Sequence, residues 1–238
     1  MCIGAMDGKR FLVTKPPNSG SEYYDYKTNH SIIMLALVDS DYKFMYVDVG
    51  AQGRASDASV WDQCNLRGYL EGNRLDVPPP ATLPFSQIKS PYVIVGDDAF
   101  PLKTYLMKPY PGKNLTAEQQ IFNYRLSRAR RFSENAFGIL AAKFRVFRSA
   151  ITSKPEYVNK LIFACVVLHN YLRDNCRVSD AQFIDWDERD EVPLGIFQEL
   201  LEVGRGHAND AKTVRETLKN YFVTIGKIPG QERNALFH

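Results

Sequence analysis

Apolar residues in the first hundred positions come in short runs divided by turn-forming residues, the pattern of strands rather than long helices. Cys2-Ile3-Gly4-Ala5-Met6 runs into Asp7 and resumes at Phe11-Leu12-Val13, before Pro16-Pro17 and Gly20 end it. Ser31 to Val38 is apolar almost throughout, as expected of a strand covered on both faces. Asp39-Ser40-Asp41 reads as a turn into a third run, Phe44 to Val49, so the three segments predict an antiparallel meander. Gly50 to Ser56 reads as a loop, and either Ser56 or Asp57 is placed to cap a helix running to about Leu70. Pro78-Pro79-Pro80 and Pro84 mark an irregular connection to a fourth strand, Tyr92 to Gly96. A short helix is predicted at Pro101 to Met107, with proline in its first position.

From Thr116 the period changes to three and four. Phe122, Leu126, Ala129, Phe132, Ala136, Phe137, Leu140 and Phe144 mark one face of a long helix ending near Phe147, opened by Thr116-Ala117-Glu118-Gln119. A second helix, about Pro155 to Asn175, is apolar enough to be largely buried, and Asn209 is placed to cap a last helix through Val223. Three meandering strands, a helix, a fourth strand and then helices is the order of an RNase H-like fold: α/β, a mixed central sheet flanked by helices. The predicted division is a domain over residues 1–175, followed by an acidic linker and helical extension over 176–238 that packs on it.

Composition narrows the class. With 45% hydrophobic residues over 238 positions, the chain can bury a substantial core. No apolar run approaches the roughly 20 residues that cross a bilayer, and the N-terminus lacks the pattern of a secretion signal, so an intracellular protein with no membrane partner is expected. Cys2, Cys64, Cys165 and Cys176 lack close pairing and are read as reduced thiols. The net charge of +3 is uninformative, but its distribution is not. Lys113 to Lys154 carries nine basic residues against Glu118 and Glu134, whereas Asp180 to Asp210 is acidic; a polyanion would meet the first stretch and avoid the second.

The chemistry-bearing candidates are carboxylates. Asp7 and Asp97 each end an apolar strand run, and Glu134 lies on the long helix, off its apolar stripe and one turn after Arg130 and Arg131. In the expected fold the first and fourth strands are neighbours, which would bring the two aspartates together with Glu134 above them. Three oxygen ligands suit Mg2+ or Mn2+, and a pair of such ions suits phosphodiester cleavage or transfer. Lys27, Arg125, Arg128, Arg130 and Arg131 are candidates for holding a DNA backbone, with an ordinary solvated face as the plain alternative. Tyr23, Tyr24 and Tyr26 beside Lys27 suit turn packing as well as DNA contact. Asp57 is the rival ligand, for which helix capping is a sufficient role; Asp98 reads as a solvated neighbour; His169, on an apolar helix, reads as a hydrogen-bonded core residue before it reads as a general base.

Several segments together resemble the catalytic domain of PIF/Harbinger transposases and their domesticated relatives, the Harbinger transposase-derived nucleases. They are Gly4-Ala5-Met6-Asp7-Gly8, Ser19-Gly20-Ser21-Glu22-Tyr23-Tyr24 with Lys27 and His30-Ser31-Ile32, Val47-Asp48-Val49-Gly50 with Gly53-Arg54-Ala55-Ser56-Asp57, Val95-Gly96-Asp97-Asp98-Ala99-Phe100-Pro101-Leu102, Phe122-Asn123-Tyr124-Arg125-Leu126-Ser127-Arg128-Ala129-Arg130, Glu134-Asn135-Ala136-Phe137-Gly138 and Leu168-His169-Asn170, with a weaker match in Arg215 to Gln231. The resemblance implies a DDE triad of Asp7, Asp97 and Glu134, the last two separated by 36 residues, that binds Mg2+ and cuts DNA. It also implies a nuclear protein with DNA as partner. Such transposases carry a helical DNA-binding region ahead of the first catalytic strand, and here six residues precede Asp7. Sequence recognition is therefore expected from a missing segment or from a Myb/SANT-like DNA-binding protein, with homo-oligomerisation as a further expectation. The alternatives are a domesticated, non-catalytic DNA-binding or protein-interaction module and a carboxylate-pair glycoside hydrolase. The basic helix and the presence of only two tryptophans, Trp61 and Trp186, argue against the latter.

Overall fold

A computed structural model describes residues 1–175 and 208–236. Cys176 and the acidic stretch through residue 207 lie outside the described residues. The strands are β1 (Cys2–Leu12), β2 (Ser31–Val38), β3 (Phe44–Gln52), the short pair β4 (Ala81–Thr82) and β5 (Lys89–Ser90), β6 (Val93–Val95) and β7 (Leu106–Met107). The α-helices are α1 (Asp57–Gln63), α2 (Asn65–Glu71), α3 (Ala117–Lys143), α4 (Pro155–Asn175), α5 (Ala208–Val223) and α6 (Gln231–Leu236).

The main sheet is mixed and five-stranded in the order β3-β2-β1-β6-β7. The meander β1-β2-β3 is antiparallel, whereas β6 joins β1 in parallel and β7 joins β6 in parallel. All eight residues of β2 are buried, as its apolar run requires. Its alternation divides the core: Ile32, Met34, Ala36 and Val38 face α3 and α4, while Ile33, Leu35 and Leu37 face Trp61 and Leu66 of α1 and α2. A third cluster joins Ala5, Val93 and Val95 to Phe122 and Leu126 of α3 and to Leu218 and Tyr221 of α5. The chain is thus an α/β protein with helices on both faces of a mixed sheet. No described helix is long and apolar enough to cross a membrane, and Cys2, Cys64 and Cys165 are free thiols.

Four predicted elements differ. The helix expected from residue 57 to Leu70 is two helices, because Cys64 is extended (φ −73°, ψ 145°) while capping one and starting the next. The predicted helix at Pro101 to Met107 is a turn followed by β7: Leu106 and Met107 are fully buried against β6, and pairing there satisfies backbone groups that a short helix would leave open. The proline-rich connection contains the β4–β5 pair, each strand only two residues long. The long helix ends at Lys143, and Arg145–Arg148 forms a single 3-10 turn.

Candidate functional site

Strand register builds the centre of the site. Ala5 stands opposite Val95, so Asp97, just past the end of β6, falls beside Asp7. Asp7 Oδ1 accepts the Gly8 N–H at 2.8 Å. Asp97 Oδ1 accepts the Ala99 N–H at 2.9 Å, and its carbonyl accepts from Phe100 N at 3.3 Å, closing a tight turn over the buried Phe100.

A third carboxylate arrives from the opposite layer. Ser56 caps α1: its side chain accepts from Ser59 N, and the Ser59 hydroxyl accepts from Ser56 N. The capping role open to Asp57 is therefore taken by its neighbour, and the Asp57 carboxylate lies against the α-carbon of Gly8, where a Cβ would meet its Oδ1 at 2.5 Å. Glycine at position 8 leaves the space that lets this carboxylate approach β1 beside Asp7. Arg10 fixes the incoming loop by donating to the carbonyls of Gly53 at 3.0 Å and Ala55 at 3.1 Å.

Crowding of like charges in a partly buried place has the expected effect. Burial, reinforced by Asp97 and Asp57, pushes the Asp7 carboxyl up to about 7, against the opposing pull of Arg130 and the Gly8 N–H. Burial and Asp97 likewise push Asp57 up, with Arg10 opposing.

The long helix brings an arginine to the centre. Arg130 is the α3 residue whose charge acts on Asp7. Its Nε is buried with no hydrogen-bond partner among the described residues. Glu134 lies one turn on, exposed, with its carboxylate 4.0 Å from the Arg130 guanidinium. Glu134 thus stands on the helix that brings Arg130 to Asp7. Among the described residues, no three His, Cys, Asp or Glu side chains stand together as a ready metal-ligand group. The carboxylates whose charges act on Asp7 are those of Asp97 and Asp57, and oxygen donors of this kind are the type a hard divalent cation takes.

The other candidates separate. Arg128 and Arg131 are exposed on α3, as are Lys143, Arg145 and Arg148 beyond it. Arg125 is not part of that face: it donates to the Gly226 carbonyl at 2.8 Å and Gln231 Oε1 at 3.1 Å, and stacks 4.4 Å from the Phe222 ring centroid. Its work is to dock α5 and α6 on α3, where Gln231 is fully buried. Asp98 pairs with Lys108 at 3.1 Å. His169 is buried, with Nε2 2.8 Å from the Tyr42 carbonyl and its ring edge-on to Phe44, while Asn170 brackets the Phe44 N–H and C=O at 2.9 Å each. Leu168-His169-Asn170 is thus a clamp on the start of β3, and His169 is a core residue. Lys27 is exposed on the β1–β2 connection. Sequence reasoning left Arg10 and Gly8 without roles; the signals were a charged residue inside an apolar strand and a glycine directly after a strand-borne aspartate.

Comparison with known proteins gives the family. The sequence profile described as DDE superfamily endonuclease matches residues 6–170. The chain is 30% identical over 178 residues to the "Protein ALP1-like" of Arabidopsis thaliana, covering 73% of this chain and 43% of that one. It is 26% identical over 171 residues to the "Putative nuclease HARBI1" of Bos taurus and of Homo sapiens, covering 71% of this chain and 45% of each of those. The chain thus spans less than half the length of these relatives. No solved structure matches it. With more than half of its length inside the profile, and with Harbinger transposase-derived nucleases among its relatives, the chain belongs to the DDE superfamily endonucleases.

Proposed function

We propose that the protein is a divalent-metal-dependent DNA endonuclease of transposase type on an RNase H-like fold, with Asp7, Asp97 and Glu134 as its acidic triad and Asp57 as a further carboxylate of the same centre. What supports this is the strand register that sets Asp97 beside Asp7, with Asp57 and Arg130 near enough for their charges to act on Asp7. Mg2+ or Mn2+ would be held by Asp7 and Asp97, with Asp57 and Glu134 at hand, and when bound supplies the Lewis acidity that phosphodiester cleavage requires. The protein's own residues do the rest. Asp97 is oriented by its bond to Ala99 N, and Asp57 by the Ser56 cap and the Arg10 anchor. Arg130 offsets the negative charge beside Asp7. Arg128, Arg131 and Lys27, all exposed, would hold the backbone on either side.

Nicking of supercoiled plasmid is the test. Mg2+ or Mn2+ supports it and Ca2+ does not, and Asp7→Asn, Asp97→Asn and Glu134→Gln each abolish it while melting as the parent does. Full activity in any of these variants removes that residue from the mechanism. One observation favours the alternative, a non-catalytic DNA-binding or protein-interaction module: Glu134 is exposed and paired with Arg130. Metal binding without nicking would select it. Sequence preference in either case is proposed to come from a separate Myb/SANT-like DNA-binding protein in the nucleus, so the chain alone should bind random and transposon-end duplexes about equally.

A further inference from the structure

The connection between β1 and β2 is built with more care than a plain surface turn needs. Asp25 is only 4% exposed, and its carboxylate accepts from Lys27 N at 2.9 Å, Asn29 N at 3.0 Å and the Ser31 hydroxyl at 2.9 Å. The backbone closes on itself as well: Asp25 N donates to Asn29 O at 2.8 Å, and Thr28 N donates to Asp25 O at 3.1 Å with Thr28 at φ 65°. A buried carboxylate satisfied by three donors makes this turn rigid. What the rigid turn presents to solvent is Tyr26, 69% exposed, and Lys27.

The surroundings of that ring are cationic. The Arg10 guanidinium lies 5.2 Å from the Tyr26 centroid and Lys27 Nζ 5.6 Å from it. Arg10 is tied to the carbonyls of Gly53 and Ala55, in the loop that delivers Asp57, so the ring stands one guanidinium away from the acidic centre. Arg10 is held by both bonds, whereas Lys27 is exposed on a flexible stem and free to leave the ring for another anion. An exposed aromatic ring fixed in place, with positive charge beside it, is the arrangement on which single-stranded nucleic acid stacks its bases.

We infer that Tyr26 is a stacking platform for an unpaired nucleobase next to the scissile phosphate, with Lys27 taking the adjoining backbone phosphate. This rests on the reading of the acidic centre as a DNA nuclease and specifies its substrate: a strand whose base on the Tyr26 side is unpaired. An aromatic residue with arginine beside it also suits a protein partner. The positive flanks, and the Arg10 link from this ring to the loop that carries Asp57, favour DNA.

The test uses the 238-residue chain in metal-free buffer and two probes, a duplex with a single-stranded 3′ overhang and its blunt counterpart. Tyr26→Ala weakens binding to the overhang probe about 5- to 150-fold, the range measured for losing one stacked base, and leaves blunt-duplex binding nearly unchanged. Its salt dependence stays that of the parent because no cation is lost, whereas Lys27→Ala lowers the slope of log affinity against log salt by about 0.7. Tyr26→Phe, which keeps the ring, binds as the parent does. Undiminished overhang binding by Tyr26→Ala, with plasmid nicking intact, overturns the stacking role and leaves the nuclease reading standing. Equal losses on both probes, shared by Tyr26→Phe, likewise overturn it, since they would report a damaged turn. A parent chain that binds neither probe overturns both readings.

Discussion

Replacing Gly8 by alanine asks whether Asp57 belongs to the acidic centre or merely lies beside it. The new Cβ would stand 2.5 Å from Asp57 Oδ1, 2.7 Å from Cγ and 3.0 Å from Oδ2, so the whole carboxylate is in the way. Restoring ordinary contact moves it by about 0.9 Å or more, and displacements near 1 Å at a reacting centre reduce rates by about 100-fold. The stability cost is much smaller in consequence. The obstructing atoms are the end of a short side chain in the first turn of α1, so the overpacking penalty belongs at the low end of about 1–3 kcal/mol, or a fall of about 2–4 °C in Tm for each kcal/mol. Plasmid nicking and thermal melting measured on the same preparation separate the two effects. Gly8→Ala should lose about 100-fold in nicking rate while melting within a few degrees of the parent. A variant that nicks at the parental rate with Asp57 displaced would refute the reasoning and return Asp57 to the role of a plain surface residue.

Other outcomes follow from the same geometry. Arg125→Ala loses its bonds to Gly226 and Gln231 and should cost about 1–3 kcal/mol in thermal stability while leaving the salt dependence of DNA binding unchanged. Arg128→Ala and Arg131→Ala should do the reverse, each lowering the slope of log affinity against log salt by about 0.9 with duplex DNA at parental Tm; an unaltered slope would make this face merely solvated. Burial holds His169 below the usual histidine range, with the Tyr42 carbonyl opposing. The unfolded chain therefore takes up the proton first as pH falls below about 6.5, so this contribution to stability is complete above that pH and is lost as pH falls towards the depressed folded value. Melting curves from pH 8 to 5 should show that loss, and His169→Gln should flatten it; an equally steep decline in the variant would assign it elsewhere.

Much of the sheet was legible because strand periodicity is local. Ser31 to Val38 announces burial on both faces without help from any other segment, and all eight residues are buried. Elements fixed by distant partners were not legible. Leu106 and Met107 become a strand only because Ile94 and Val95 offer an open edge, and Pro101 supplied a local helix signal that this edge overrides. Asp7 lies within β1, which runs on to Leu12, and Asp97 lies just past the end of β6, so strand register rather than two strand ends sets them side by side. That Arg130 acts on Asp7 depends on how α3 is rotated over the sheet, which a stripe of apolar residues sets only to within a side chain. Arg125 looked like its basic neighbours because Gln231, the residue that turns it inward, lies 106 positions away.

Titration of the chain with Mn2+ by calorimetry, in parallel with Asp7→Asn and Asp97→Asn, bears most directly on the central claim that these aspartates share a divalent cation. The account predicts saturable binding by the parent and its loss in each variant, with circular dichroism unchanged. Saturable binding that survives in the Asp7→Asn/Asp97→Asn double variant, or no binding by the parent, would contradict it.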